Sequence, residues 1–155
     1  MITAAQIRAL ESAAESWRDT PFCEGAPVKG AGASCHHAVA EIYFESGLLE
    51  RTPIPNGPSH WSPANPNSLI VEWVESSGLF VRVGEGLKGR ELSRLARPGD
   101  MLGFRICTAI HHAAIRLGGQ RIVHSVMGHG VKIPPSIPFE WEHRLEAIWR
   151  IKALA

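Results

Sequence analysis

The segment Gly30-Ala31-Gly32-Ala33-Ser34-Cys35 brings a run of small residues up to a single cysteine, and a helical pattern starts directly behind it. Ala38, Val39, Ile42, Tyr43 and Phe44 supply the apolar stripe of that helix. Ser34 predicts an N-cap, which puts Cys35 in the first helical turn. Unpaired backbone N–H groups and the positive end of the helix dipole favour a thiolate at such a position, and the thiolate is the nucleophilic form. The expectation is a cysteine nucleophile presented at a helix N-terminus, needing a base from elsewhere in the chain.

A chain of 155 residues fits one domain, residues 1–155, around a single sizeable core. Lys plus Arg (16) nearly cancels Asp plus Glu (15), and no basic run or basic–aromatic stripe occurs, which argues against a nucleic-acid partner. The start, Met1-Ile2-Thr3-Ala4-Ala5-Gln6, has neither the basic nor the apolar region of a signal peptide, and no apolar run reaches membrane-spanning length. No membrane partner and a cytoplasmic location are therefore expected. Three widely spaced cysteines, Cys23, Cys35 and Cys107, argue against a disulfide framework and suit a reducing compartment.

Ile7, Leu10, Ala14 and Trp17 share one face of a helix over residues 3–18, which Thr20-Pro21-Phe22 ends. The cysteine helix is expected to stop at Gly47, and residues 51–67 read as a long surface loop carrying His60-Trp61. Ser68 caps a short helix with Ile70, Val71, Trp73 and Val74 that ends near Gly78, followed by a strand over 79–83. After the turn Arg97-Pro98-Gly99-Asp100 come three strand-like runs, 101–106, 113–117 and 121–126, the last two joined at Gly118-Gly119. Residues 131–133 add a short strand, and residues 138–151 read as either a helix or a final strand. Helices first and hairpin-connected strands second make an α+β plan with an antiparallel sheet.

His112 opens one arm of that hairpin and His124 lies in the other. Strand alternation puts His112, Ala114 and Arg116 on one face, and Ala113, Ile115 and Leu117 on the other. The uniformly apolar face is expected to be the core, leaving His112 facing something polar, with His124 opposite it across the hairpin. A histidine beside a helix-start cysteine, with a second polar residue to set its tautomer, is the minimum for cysteine–histidine catalysis.

In this order, Trp17-Arg18-Asp19-Thr20-Pro21-Phe22, the glycine-rich approach to Cys35, Pro98-Gly99-Asp100, His112-Ala113-Ala114-Ile115 and Ile122-Val123-His124 resemble the motifs of NlpC/P60 cysteine peptidases. The segment from Thr20 through Gly32 looks closest to members from phage tails and gene-transfer-agent particles. The resemblance covers roughly residues 5–133. It implies a papain-like fold, with N-terminal helices and the cysteine helix packed on a small antiparallel sheet. It also implies hydrolysis of peptidoglycan-type peptides, with a thioester acyl-enzyme, and a phage-particle location with phage-tail-like partners. By motif position Cys35 is the nucleophile, His112 the general base and acid, and His124 the orienting residue. Phe22, Ser34, His36, His60 and Trp61 are the substrate-binding candidates. No cofactor and no metal are implied. This chain departs from the family pattern at Ser34, where Asp is usual, at His36-His37, where Ser-Gly is usual, and at Phe22, where Tyr is usual. The missing tyrosine hydroxyl removes one candidate oxyanion donor, a group worth about 3 kcal/mol in characterised enzymes.

Other residues have plainer readings. His111 falls on the apolar strand face and is expected to be structural. His36 and His37 flank the cleft, pointing away from one another. Cys23 and Cys107 are bystanders, His60, His129 and His143 are surface residues, and Trp141 and Trp149 pack. Two further functions stand beside hydrolysis. One is a metal-binding protein using Cys35 with His36, His37, His112 or His124, although no CxxC or HxxxH spacing is present. The other is a non-catalytic tail-tip component that keeps the fold and binds cell-wall fragments.

Overall fold

The structure, a computed structural model, describes residues 1–25, 27–55 and 65–155. Helix α1 (Ala4–Trp17) begins at a reciprocal cap: the Thr3 hydroxyl accepts from the Gln6 amide, and the Gln6 side chain accepts from the Thr3 amide. It buries Leu10, Ala13, Ala14 and Trp17 against helix α2 (Cys35–Ser46). Ser34 caps α2, and Gly47 closes it in the left-handed conformation (φ 78°) that glycine adopts at little cost. Helix α3 (Leu69–Ser77) runs from Ser68 to Gly78 and buries Ile70, Trp73 and Val74.

Six strands follow: β1 (Phe80–Val83), β2 (Met101–Ile106), β3 (Ala109–Arg116), β4 (Ile122–Val126), β5 (Gly130–Lys132) and β6 (Leu145–Ile151). They form one sheet in the order β1-β6-β2-β3-β4-β5, with every neighbouring pair antiparallel. The α+β architecture expected from the element order is the one observed. The two readings of residues 138–151 both apply in part, as a short helix α5 (Phe139–Glu142) precedes β6. β6 inserts between β1 and β2, where alternate residues Leu145, Ala147, Trp149 and Ile151 are all buried. Another short helix, α4 (Gly89–Ser93), has no counterpart in the sequence reading.

β3 starts at Ala109, earlier than expected, and all eight of its residues are buried. Two apolar layers explain this. On one side, Ala113, Ile115 and Leu117 join Met101, Val123 and Trp149 beneath α1, α2 and α3. On the other, Leu102, Phe104, Ala114, Ile122, Leu145 and Ile148 pack with Leu92 of α4, and Trp141 of α5 covers them. The expectation of one core face and one polar face is thus corrected. The His112 face has its own apolar layer, because α4 and α5 fold over it.

Two contacts fix where the strands begin. Asp100, 1% exposed, binds the Arg150 guanidinium through both carboxylate oxygens at 2.8 Å. The Tyr43 hydroxyl donates to the Gly99 carbonyl at 2.9 Å, tying this turn to α2. The chain leaving α1 is stitched to β5: Asp19 N–H donates to the Val131 carbonyl (2.9 Å), and Val131 N–H donates to that of Thr20 (2.8 Å). Gly130 lies in this seam at φ 77°, and a Cβ there would run into the Thr20 carbonyl oxygen. Gly128, at φ 81°, faces open space. Among the described residues, no helix is long and apolar enough to cross a membrane.

In thermal or urea denaturation, Gly128→Ala is expected to cost about 1 kcal/mol, from the positive φ alone. Gly130→Ala, which adds a backbone clash, is expected to cost at least twice that. Equal losses would mean that β5 slides away from Thr20 freely.

Candidate active site

Cys35 is 7% exposed at the start of α2. Its thiol donates to the His111 carbonyl at 3.4 Å. The backbone N–H groups of Ala113, His36 and Cys35 itself also face the sulfur. The sulfur therefore lies along the β3 backbone on both sides of His112. Burial pushes the thiol up to about 11, and the three N–H groups only partly oppose that rise. This corrects the expectation of a ready thiolate at a helix N-terminus. Desolvation outweighs the helix end, and the resting group is a neutral thiol.

His112 and His124 are each 4% exposed and meet through His112 Nε2 and His124 Nδ1 at 2.8 Å. The β3–β4 register pairs Ile115 with Val123 and Arg116 with Ile122. Continued by one step, it puts His124 across from Ala114. The two histidines are therefore diagonal neighbours on one face, not directly opposed as expected, and rings bridge that diagonal readily. Trp141 stacks on His112 with ring centroids 4.2 Å apart and planes at 22°, and Phe104 lies 5.7 Å away on the same side. Burial, and secondarily the neighbouring His124, hold His112 well below the usual imidazole range. Burial lowers His124 to about 4, with Glu140 pulling the other way. Both rings are neutral at rest, and one N–H serves the bond between them. In the tautomer where His112 Nε2–H is the donor, His112 Nδ1 carries a lone pair.

Cys35 and His112 line one cavity of about 310 Å³, together with Phe22, Ser34 and His36. Ser34 Oγ anchors the α2 start. It accepts from the His37 amide (3.4 Å) and meets both the His37 Nδ1 (2.9 Å) and the His36 Nδ1 (3.3 Å). The His36 and His37 rings consequently lie 4.3 Å apart, tilted by 32°. They do not point away from one another, because a shared hydroxyl draws both rings to the helix end. His36 Nε2 bonds the Pro55 carbonyl at 3.1 Å, and burial with the adjacent His37 lowers His36 to about 4. His111 also lines the cavity, and its Nε2 bonds the Asn65 carbonyl at 2.8 Å.

His60 and Trp61 lie outside the described residues. Cys23, Cys107, His129 and His143 are exposed. Trp141 is the site residue that sequence reasoning missed as such. It does pack, as expected, but its partner is His112, and a four-residue helix after Pro138 offers no periodic signal to say so. Among the described residues, no three His, Cys, Asp or Glu side chains come together as metal ligands.

Among solved structures, the fold is shared with NlpC/P60 proteins. A lipoprotein-like member of the NLP/P60 family from Staphylococcus aureus aligns with TM-score 0.59 and 16% identity, over 97% of this chain and 42% of that one. The NlpC/p60 domain of the peptidoglycan hydrolase SagA aligns with TM-score 0.55 and 20% identity, over 92% of this chain and 96% of that one. NlpC1 from Trichomonas vaginalis aligns with TM-score 0.59 and 12% identity, over 97% and 46%. The chain spans less than half the length of the first and third. No family sequence model and no curated protein sequence matches it.

Two outcomes follow from the buried, neutral groups. His36, His112 and His124 have folded-state values below that of an unfolded histidine, so their contribution to stability is present above about pH 6.5 and is lost as pH falls towards 4. The melting temperature should drop across that window, and His36→Gln should flatten the drop; a flat profile in the parent would contradict buried neutral rings. Iodoacetamide at pH 7, read by peptide mass spectrometry, should label Cys35 more slowly than Cys23 and Cys107. Fastest labelling at Cys35 would instead mean that an imidazolium already holds a thiolate there.

Proposed function

We propose that this protein is a cysteine hydrolase that cleaves amide bonds in cell-wall-type peptides, with Cys35 as nucleophile, His112 as general base and acid, and His124 as the orienting residue. The observation that carries this reading is the 2.8 Å His112–His124 bond beside a cavity that Cys35 shares. With His124 accepting from His112 Nε2–H, Nδ1 is the His112 nitrogen left to take the thiol proton. When a substrate carbonyl enters the cavity, the thiol proton passes to His112 as the sulfur–carbon bond forms. The N–H groups at the first turn of α2, already facing the sulfur, are the candidate donors to the developing oxyanion. His112 then protonates the departing amine, and water, activated by the same ring, resolves the thioester. Trp141 holds the His112 ring plane throughout.

The peptide substrate class rests on the likeness to the SagA hydrolase domain and on the motif resemblance. Delivery by a phage-tail-like particle rests on the sequence resemblance alone. A second reading, binding of cell-wall peptides without cleavage, is favoured by Phe22, which brings no hydroxyl to the cavity wall, and by the neutral resting thiol.

Purified peptidoglycan incubated with the protein should release soluble peptides, followed by mass spectrometry. Cys35→Ala should abolish release, and His112→Ala should reduce it by about 10³-fold, within the range of a lost general base. His124→Ala should cost less, with partial recovery in His124→Gln. Release that survives Cys35→Ala would sink the hydrolase reading, and retention of fragments without release would support the second one.

A further inference from the structure

The His112–His124 bond leaves His124 with a second ring nitrogen. When His124 Nδ1 accepts from His112 Nε2–H, the neutral His124 ring carries its own proton on Nε2. The groups around this ring decide how much positive charge the pair can hold. Trp141 of α5 stacks on His112 and meets His124 edge-on, with centroids 6.3 Å apart and planes at 77°. Glu140 immediately precedes Trp141 in the same short helix and is exposed. Its carboxylate acts on His124 and opposes part of the effect of burial. From β5, Lys132 stands across from His124, but its ammonium is bound to Asp19 at 2.7 Å. Arg144, just beyond α5, lies over the Trp141 ring at 5.9 Å. From β3 the facing group is His112 itself.

At rest both imidazoles are neutral, so Glu140 faces an uncharged ring. The reaction changes this. As Cys35 attacks a carbonyl, the S–H bond breaks and its proton moves to His112 Nδ1. The sulfur–carbon bond forms, and the carbonyl π electrons pass to oxygen. One positive charge then sits on a buried imidazole, where lost hydration penalises it. A carboxylate beyond His124 attracts that charge and has far less to attract beforehand. An interaction gained mainly in the transition state raises the rate rather than the resting affinity.

We propose that Glu140 is a positioning residue of this site, acting through His124 to stabilise the imidazolium that His112 becomes when it takes the Cys35 proton. The proposal rests on the hydrolase reading above and deepens it. The same helix then serves the pair twice, as Trp141 fixes the His112 ring plane and Glu140 supplies the compensating charge.

The test follows peptide release from purified peptidoglycan as a function of pH, comparing the parent with Glu140→Gln, Glu140→Asp and Glu142→Gln. Glu142 lies on the same helix and pairs with Arg90 at 2.9 Å, so its variant loosens α5 without removing the carboxylate that acts on His124. Glu140→Gln should lower the initial rate about fivefold. It should also move the acid limb of the profile to lower pH, because the carboxylate that favours the protonated pair is gone. Glu140→Asp, which keeps the charge, should recover part of both effects. In about 1 M sodium chloride, where screening acts within about 3 Å, the ratio of parent to Glu140→Gln rates should shrink towards one. An unchanged rate and acid limb in Glu140→Gln would overturn the inference and leave the hydrolase reading standing. A loss of rate with no movement of the limb, matched by Glu142→Gln, would assign Glu140 to the packing of α5 and overturn it equally. No release by the parent would bring down the hydrolase reading and the inference together.

Discussion

The burial of β3 on both faces is the constraint on which the rest of this structure depends. A strand covered on one side only would leave His112 in water, where its ring would titrate normally and orient freely. Here α1, α2 and α3 cover one face, and α4 with Trp141 of α5 covers the other. The strand between them has no exposed residue. Packing at interior density then limits each ring to the position its neighbours leave, which is how Trp141 and Phe104 set the plane of His112.

The same burial decides the electrostatics of the site. Removing water disfavours every charged form, so the thiol rises while His36, His112 and His124 fall. A helix N-terminus pulls a cysteine towards the thiolate by a modest amount, and full desolvation is the larger effect. The outcome is a neutral thiol beside neutral imidazoles. A neutral thiol reacts slowly with alkylating agents and peroxides in general, since both chemistries need the thiolate.

Precision at the site comes from contacts both near and far along the chain. Ser34 Oγ gathers the α2 start and two imidazoles. The Ser125 hydroxyl donates to the Ala33 carbonyl at 2.8 Å, holding the residue before that cap against β4. The Asp100–Arg150 pair sets where β2 begins relative to β6, and the Tyr43 hydroxyl links that turn to the cysteine helix.

What the sequence determined by itself is local or periodic. Ser34 and Ser68 mark helix starts, because a short hydroxyl side chain satisfies amides two or three residues ahead. Gly47 and Gly78 mark helix ends, because the backbone must turn left-handed there. Alternation placed His112 and Ala114 on one strand face, and the spacing to His124 brought the second ring within reach. The tertiary structure alone decided that β6 threads between β1 and β2, that α4 and α5 roof the histidine face, and that Trp141 stacks on His112. It also decided that His36 and His37 converge and that the Cys35 thiol is neutral at rest. Caps and periodicity depend on neighbours a few residues away, so they can be read along the chain. Desolvation depends on how many distant segments close over a group, and no local pattern counts them.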